Sequence, residues 1–132
     1  MRAVRKKLAC LVAAAVLAVP AASATDIPMN SVVFGNLDKV TGRVNTLSAR
    51  IDVPARFGTL EIIPRACFTR PPEELPENAA FVEIYDIPEK GEKAKVFGGW
   101  MFASSPALSA LDHPVYDLWV LRCESSNASK SG

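Results

Sequence analysis

The chain has 132 residues, with 15 lysines and arginines against 14 aspartates and glutamates, three cysteines and one histidine. This length suits one domain with a modest core, and the absence of a basic stripe argues against a nucleic-acid partner. One histidine and few cysteines leave mostly carboxylates as ligands, and no calcium-loop motif is present, so we expect no metal and no cofactor.

The first 24 residues are typical of a cleaved export signal. The N-terminal segment contains four basic residues and is followed by an apolar run from Leu8 to Val19. Ala22-Ser23-Ala24 then supplies the small residues that a signal peptidase accepts. The run is too short for a membrane span and is followed by Pro20. We therefore expect residues 1–24 to be a signal peptide, which predicts a bacterial periplasmic protein with no membrane span after cleavage.

Cleavage changes both the charge and the cysteine count. Without the four basic residues of the signal, 11 basic residues face 14 acidic ones, so the mature net charge is −3. Cys10 is lost, and Cys67 and Cys123 remain. Two cysteines without a C-x-x-C partner in an oxidising compartment most simply pair with each other, so we expect one structural disulfide.

Three segments are predicted in the mature chain. Residues 25–36 are expected to be an extended leader, because Pro28 and several polar residues interrupt any regular pattern. A single β domain is predicted over residues 37–124, and a disordered polar tail over residues 125–132. No internal repeat or further domain boundary is evident.

Apolar and β-branched residues predict five or six strands. They fall within residues 40–53, 57–68, 79–87, 93–103 and 115–123. Strands 79–87 and 93–103 form the clearest hairpin. Pro64 predicts an edge or a bulge, and Gly98-Gly99 predicts a bulge or a close backbone approach.

Strict alternation assigns faces to two of these strands. In the second strand it places Leu60, Ile62, Ala66 and Phe68 together on one face. In the last strand it places Trp119 on the face of Cys123, so the indole is expected beside the disulfide. The last strand is apolar on both faces, which is typical of a strand in the middle of a sheet.

One short helix is predicted before the last strand. Ser105 is a typical N-cap, Pro106 fits the first turn, and Leu108 and Leu111 are spaced to face the core together. Several strands with one short helix and one disulfide favour a mostly β fold, either a small antiparallel sandwich or a barrel.

The candidate catalytic residues surround the histidine. Ser104, Ser105 and Ser109 precede Asp112 and His113, which supplies the residue types of a hydrolase. No G-x-S-x-G turn is present, and helix capping with a turn histidine explains the same residues. A carboxylate pair for glycoside cleavage is the other enzymatic option, drawn from Glu61, Glu83, Asp86 and Asp117. We therefore favour a non-enzymatic role.

The candidate binding face comprises Gly98, Gly99, Trp100, Phe102 and His113. Trp100, between the glycines and Met101-Phe102, is the aromatic residue most expected at the surface. An exposed patch with Phe102 indicates a protein partner, whereas core packing is the alternative for these aromatic side chains.

Three blocks of the chain resemble a known family. They read LDKVTGR at residues 37–43, RFGTL with RAC at residues 56–60 and 65–67, and VFGGWMFASSPALSALDHPVYDLWVLRC at residues 96–123. Together they resemble an uncharacterised alphaproteobacterial family of exported proteins, domain of unknown function 2155. The resemblance implies an alphaproteobacterial periplasmic protein that carries both mature cysteines, and it implies no activity, substrate or catalytic residue.

These patterns favour a periplasmic module that binds another envelope protein or assists its assembly. A small secreted inhibitor of a protease or lysozyme-like enzyme stays open, with the proline-rich loop Arg70–Glu77 as the inserting element. A hydrolase that uses His113 also stays open, and a glycan is a further candidate ligand.

Overall fold

Two antiparallel β-sheets packed against each other form the domain. The computed structural model describes residues 14–15, 26–109 and 111–125. The predicted signal peptide therefore lies almost wholly outside the described residues, as does the predicted tail.

Within the described residues there are eight strands and one 3-10 helix. In chain order they are β1 (Ile27–Pro28), β2 (Ser31–Asp38), β3 (Arg43–Arg50), β4 (Ala55–Phe57), β5 (Leu60–Thr69), β6 (Asn78–Asp86), β7 (Ala94–Phe102), the helix (Pro106–Ser109) and β8 (Tyr116–Glu124). Sheet A has the order β1-β5-β6-β7, with β4 also pairing to β5, and sheet B has the order β3-β2-β8. Every pairing is antiparallel, so the predicted mostly β fold class is confirmed.

The core lies between the sheets and is built from alternate residues of each strand. Its fully buried side chains include Val32, Phe34, Leu60, Ile62, Val82 and Ile84. Complete burial of such a side chain contributes roughly 1.5–3 kcal/mol, so apolar packing is the main force that holds the two sheets together.

One disulfide joins the sheets. Cys67 in β5 bonds to Cys123 in β8, with the two Cα atoms 5.8 Å apart. Both cysteines are buried in the core, and the Cα separation is normal for a disulfide. The predicted pairing is confirmed.

The strand β2 occupies the centre of sheet B, with β3 on one side and β8 on the other. The predicted leader over residues 25–36 is therefore wrong for residues 31–36, which are buried throughout. The domain begins before residue 37, since Ile27–Pro28 also pairs with the end of β5. The sequence does not reveal β2, because both faces of the strand are buried and its residues therefore do not alternate between apolar and polar. Polar residues within it further obscure the strand.

The strand β8 lies at the edge of sheet B, not in its middle as predicted. Its register against β2 shifts between Val33 and Phe34, which pair with Arg122 and Val120. The extra residue, Leu121, forms a bulge that inverts the alternation on either side.

The inversion separates Trp119 from the disulfide. Trp119 pairs with Gly35 on the outer face of sheet B, where a Cβ on the glycine would overlap the indole. Cys123, beyond the bulge, faces the core. The prediction that the indole packs beside the disulfide is therefore wrong.

Two further predictions concern bulges. The β5–β6 register shifts between Pro64 and Ala66, as Pro64 predicts. The β6–β7 register shifts between Ile84 and Tyr85, and both glycines pair regularly with β6. Of the two alternatives predicted at Gly98-Gly99, a bulge or a close backbone approach, the bulge is therefore wrong. The predicted hairpin of β6 and β7 is confirmed.

The predicted short helix is a 3-10 helix. The Leu108 N–H donates to the Ser105 carbonyl at 3.1 Å, so Ser105 precedes the first turn as expected. Leu111 is buried, but Leu108 is 75% exposed and does not face the core as predicted. A 3-10 helix has three residues per turn, and this one ends before Leu111, so the α-helical spacing of the two leucines does not apply.

Candidate functional site

Four aromatic side chains cluster on the outer face of sheet A, and we call them the aromatic surface: Phe68, Phe81, Trp100 and Phe102. The Phe81 and Trp100 rings meet edge to face at 5.5 Å between centroids, and the Phe68 and Trp100 rings are 6.1 Å apart. Met101 is buried in the core, so Trp100 and Phe102 on either side of it project away from the core.

A groove runs between the rings. Phe68, Ala79 and Phe102 lie in one row across β5, β6 and β7, so the small Ala79 side chain forms a floor between two phenyl rings. The groove has a volume of about 370 Å³, and Trp100 and Asp26 complete its lining. This shape and size suit one bulky apolar side chain.

A more polar cavity of about 290 Å³ adjoins the groove and shares part of its lining. Arg70, Glu77, Ser105 and Leu108 line this end. The site is therefore apolar at one end and offers charged hydrogen-bonding groups at the other.

The Glu77 carboxylate is fixed at the polar end. Its Oε1 accepts the backbone N–H groups of Asn78 at 3.0 Å and Ser104 at 3.1 Å, and its Oε2 accepts the Ser104 hydroxyl. Partial burial opposes ionisation, but these bonds and the charge of Arg70 outweigh it, so the pKa of Glu77 lies below its ordinary value of 4.5. The bonds also tie the start of β6 to the turn after β7.

The predicted binding face is divided by the fold. Trp100 is 39% exposed, and Phe102 is half-buried beside it. Gly98 and Gly99 precede them on β7. His113 is not part of this surface, because it bonds to Asp86, which lies seven residues along β6 from Ala79. At about 3.3 Å per residue this separation is roughly 23 Å.

His113 is buried and both of its ring nitrogens are engaged. Nδ1 accepts the backbone N–H groups of Val115 at 3.0 Å and Tyr116 at 3.2 Å, so the proton lies on Nε2, which donates to Asp86 Oδ2 at 3.0 Å. The ring also stacks on Tyr116 with centroids 5.2 Å apart. No ring nitrogen remains to activate a serine, and the histidine anchors the start of β8.

The partly exposed carboxyl of Asp86 completes this pair. The Thr59 side chain and then His113 stabilise its ionised form against partial burial, so the pKa of Asp86 lies below its ordinary value of 3.8. The backbone carbonyl of His113 accepts a hydrogen bond from Lys39 Nζ at 2.8 Å, and Lys39 also contacts Asp117 at 3.1 Å. These contacts hold the turn before β8 in place.

The other candidate catalytic carboxylates have separate ionic partners. Glu61 contacts Lys93 at 2.6 Å, and Glu83 contacts Arg65 at 3.5 Å. Among the described residues no group of three or more histidine, cysteine or acidic side chains is arranged to hold a metal ion.

The structure shows functional candidates that strand alternation misses. Phe68 faces outward because the bulge after Pro64 inverts the alternation of β5, so it does not share the face of Leu60 and Ile62 as predicted. Pro64 is the sequence signal that indicates this inversion. Phe81 and Ala79 join the site only through the cross-strand register, which no local pattern reveals.

The bacterial family model for uncharacterised proteins with domain of unknown function 2155 matches residues 32–123, which is more than half of the chain. The chain belongs to this family. The match includes all four members of the aromatic surface and both cysteines of the disulfide. It begins inside β2, in agreement with a domain that starts before residue 37.

A relative from Rickettsia prowazekii (strain Madrid E), the uncharacterized protein RP359, is 24% identical over 87 residues. The alignment covers 66% of this chain and 56% of the relative, so the chain spans little more than half of that protein. No solved structure matches the chain. Among the residues that the structure describes, no helix has the length and apolar character needed to cross a membrane.

Proposed function

We propose that the mature domain is a non-enzymatic periplasmic module that binds another envelope protein through the aromatic surface. The observation that carries this proposal is the exposed Trp100 beside a groove floored by Ala79. Tryptophan and other aromatic residues are enriched in protein interfaces, and exposed apolar clusters rimmed by polar groups mark binding sites. The partner supplies a bulky apolar side chain that enters the groove.

The arrangement of the rings favours a protein over a glycan. The edge of one ring lies against another in the Phe81–Trp100 pair, so the cluster forms a concave apolar site with no isolated flat platform. Arg70 and Glu77 at one end provide hydrogen-bonding groups that orient a main chain or a polar side chain.

A non-enzymatic role is supported by the state of the best catalytic candidate. Both ring nitrogens of His113 are engaged in bonds that stabilise the fold. Ser104 instead bonds to Glu77, which anchors a turn. The periplasmic location rests on the signal-like residues 1–24 and on the buried disulfide, which suits an oxidising compartment.

Affinity capture with matched variants tests the proposal. The tagged protein is expressed as the full chain, cross-linked in the envelope of an alphaproteobacterial host and analysed by mass spectrometry. We expect one reproducible protein partner whose recovery falls at least tenfold with Trp100→Ala, because interface tryptophans contribute about 2 kcal/mol or more. The control is Val44→Ala, since Val44 is 64% exposed on β3 in the other sheet.

Thermal unfolding of each variant separates lost binding from lost folding. Recovery of the partner with Trp100→Ala at the wild-type level contradicts the proposal, as does equal loss with Val44→Ala. If no protein is recovered but soluble peptidoglycan fragments quench tryptophan fluorescence, the ligand is a glycan and the proposal is wrong.

The loop between β5 and β6 supports a second candidate, the small inhibitor. A hydrogen bond from the Arg70 N–H to the Glu77 carbonyl at 3.1 Å closes this loop at its base, and Leu75 is 81% exposed on it. A loop that is closed at its base and carries an exposed apolar residue is suited to insertion into an enzyme cleft. We expect such an inhibitor to slow a lysozyme or a serine protease at micromolar concentration and to lose this effect with Leu75→Ala; no inhibition of either enzyme argues against this candidate.

A further inference from the structure

The strand β7 is an edge of sheet A, and it carries half of the aromatic surface. β6 pairs with it on one side, and no described strand pairs with it on the other. An open strand edge presents N–H and C=O groups that can hydrogen-bond to another chain.

The register shows which backbone groups of β7 face the open side. The Ala103 N–H donates to the Asn78 carbonyl at 2.9 Å. In an antiparallel ladder every second residue pair exchanges hydrogen bonds, so the same pattern applies to the pairs formed by Met101 and by Gly99 with β6. Met101 and Gly99 therefore bond to β6, whereas the N–H and C=O groups of Trp100 and Gly98 point away from it. The Phe102 carbonyl also points away, in agreement with its hydrogen bond from the Ser105 N–H at 3.2 Å.

The two glycines place no side chain of their own beside this edge. Gly98 and Gly99 pair regularly with β6 and form no bulge, so neither is needed for a change of register. A Cβ on Gly99 would have only ordinary contacts, the nearest at 3.8 Å from Phe97 Cζ. A glycine inside a strand often marks a bulge or a place where another backbone approaches closely, and the regular pairing here excludes the bulge.

Lys95 provides a charge beside the same edge. Its Cε lies 2.8 Å from the position of a Cβ on Gly98, so the side chain folds over the glycine. No described acidic side chain forms a salt bridge with Lys95, in contrast to Lys93, which contacts Glu61. An unpaired lysine on an edge strand opposes indiscriminate strand pairing and attracts a carboxylate.

Neither edge of sheet B offers this combination. The exposed strand β3 carries no aromatic residue. The strand β8 is interrupted by the bulge at Leu121, which twists an edge away from regular pairing.

We propose that the partner binds as an extended segment that adds to the open edge of β7 as the next strand of sheet A. The segment hydrogen-bonds to the backbone of Gly98 and Trp100, places an apolar side chain against the aromatic surface and an acidic side chain near Lys95. This inference rests on the proposed function, because it specifies how the same surface recognises a protein.

A random twelve-residue peptide library displayed on phage is the probe. The library is selected on protein that is expressed from the full sequence and purified. Peptides that also bind the Trp100→Ala variant are removed by counter-selection. We expect selected peptides with apolar residues at alternate positions and an acidic residue, since side chains of a strand alternate between faces.

Two variants at one position separate backbone pairing from contact with the face. Gly98→Pro removes an N–H that bonds to nothing in sheet A, and we expect it to weaken peptide binding roughly tenfold or more. Gly98→Ala keeps this N–H and displaces only the flexible end of Lys95, so we expect a smaller effect. Lys95→Glu is expected to weaken binding of the acidic peptides.

A measurement on the peptide covers the case in which Gly98→Pro unfolds. Methylation of backbone nitrogens at alternate positions of a selected peptide removes the N–H groups that face β7. We expect one set of alternate positions to abolish binding and the other set to leave it intact.

The outcomes distinguish this inference from the proposed function. One contrary result is peptide binding that is lost with Trp100→Ala and yet persists with Gly98→Pro and with either set of methyl groups. That result shows that the surface binds a protein without strand addition. Apolar residues spaced three and four apart indicate a helical ligand and also overturn strand addition. If repeated rounds select no peptide, strand addition is rejected. The affinity-capture experiment is then the only test of the proposed function.

Discussion

Removal of the disulfide is expected to cost the domain a large part of its stability. Cys67 and Cys123 are 56 residues apart in the sequence, and the loop that they close contains β6, β7, the helix and most of β8. In the chain-entropy model a loop of this length gives about 4 kcal/mol of stabilisation. Because small domains unfold with a free energy of about 5–15 kcal/mol, the Cys67→Ala/Cys123→Ala variant is expected to be marginally stable.

Urea unfolding followed by tryptophan fluorescence measures this loss. With a urea slope of about 1–3 kcal/mol/M, a loss of about 4 kcal/mol lowers the unfolding midpoint by roughly 1–4 M. The wild-type protein in reducing buffer is the matched control, since it lacks the bond but keeps the side-chain volume of Cys67 and Cys123. A loss below about 1 kcal/mol in both samples, with an unchanged slope, contradicts a stabilisation of this size by the disulfide.

Two more predictions concern the fold. Gly35→Ala is expected to destabilise the domain by roughly 1–3 kcal/mol because its Cβ overlaps the indole of Trp119, whereas Gly99→Ala is expected to be nearly neutral; equal urea midpoints contradict this. The pKa values of Glu77 and Asp86 are lowered in the folded state, so the unfolded chain binds more protons in acid. Their contribution to stability is present above the ordinary values of 4.5 and 3.8 and is lost as the pH falls through the lower folded values. We expect Glu77→Gln/Asp86→Asn to reduce the slope of unfolding free energy against pH in this acid range, and an unchanged slope argues against it.

The sequence predicts those elements whose signals are local. The hairpin of β6 and β7 follows from two apolar runs around a polar turn, and the disulfide follows from the two cysteines that remain when Cys10 is assigned to an expected signal peptide. The exposure of Trp100 is suggested by its glycine neighbours. The strand β2 is missed because Ser31 and Asn36 are polar although both are buried.

The faces of side chains beyond a bulge are not predictable from alternation. In β5 the inversion after Pro64 moves Phe68 to the outer face, and in β8 the inversion at Leu121 moves Trp119 away from the disulfide. A bulge is fixed by the pairing of two strands, so its position depends on residues that are distant in the sequence. The groove around Ala79 is unpredictable for the same reason.

Site-specific photocrosslinking tests the proposed role of the aromatic surface most directly. A benzophenone amino acid is placed at position 100 and, as the control, at position 44 on the other sheet, and intact cells are irradiated. We expect a covalent adduct with one envelope protein from position 100 and none from position 44. The same adducts from both positions, or no adduct from position 100 while position 44 yields one, would contradict it.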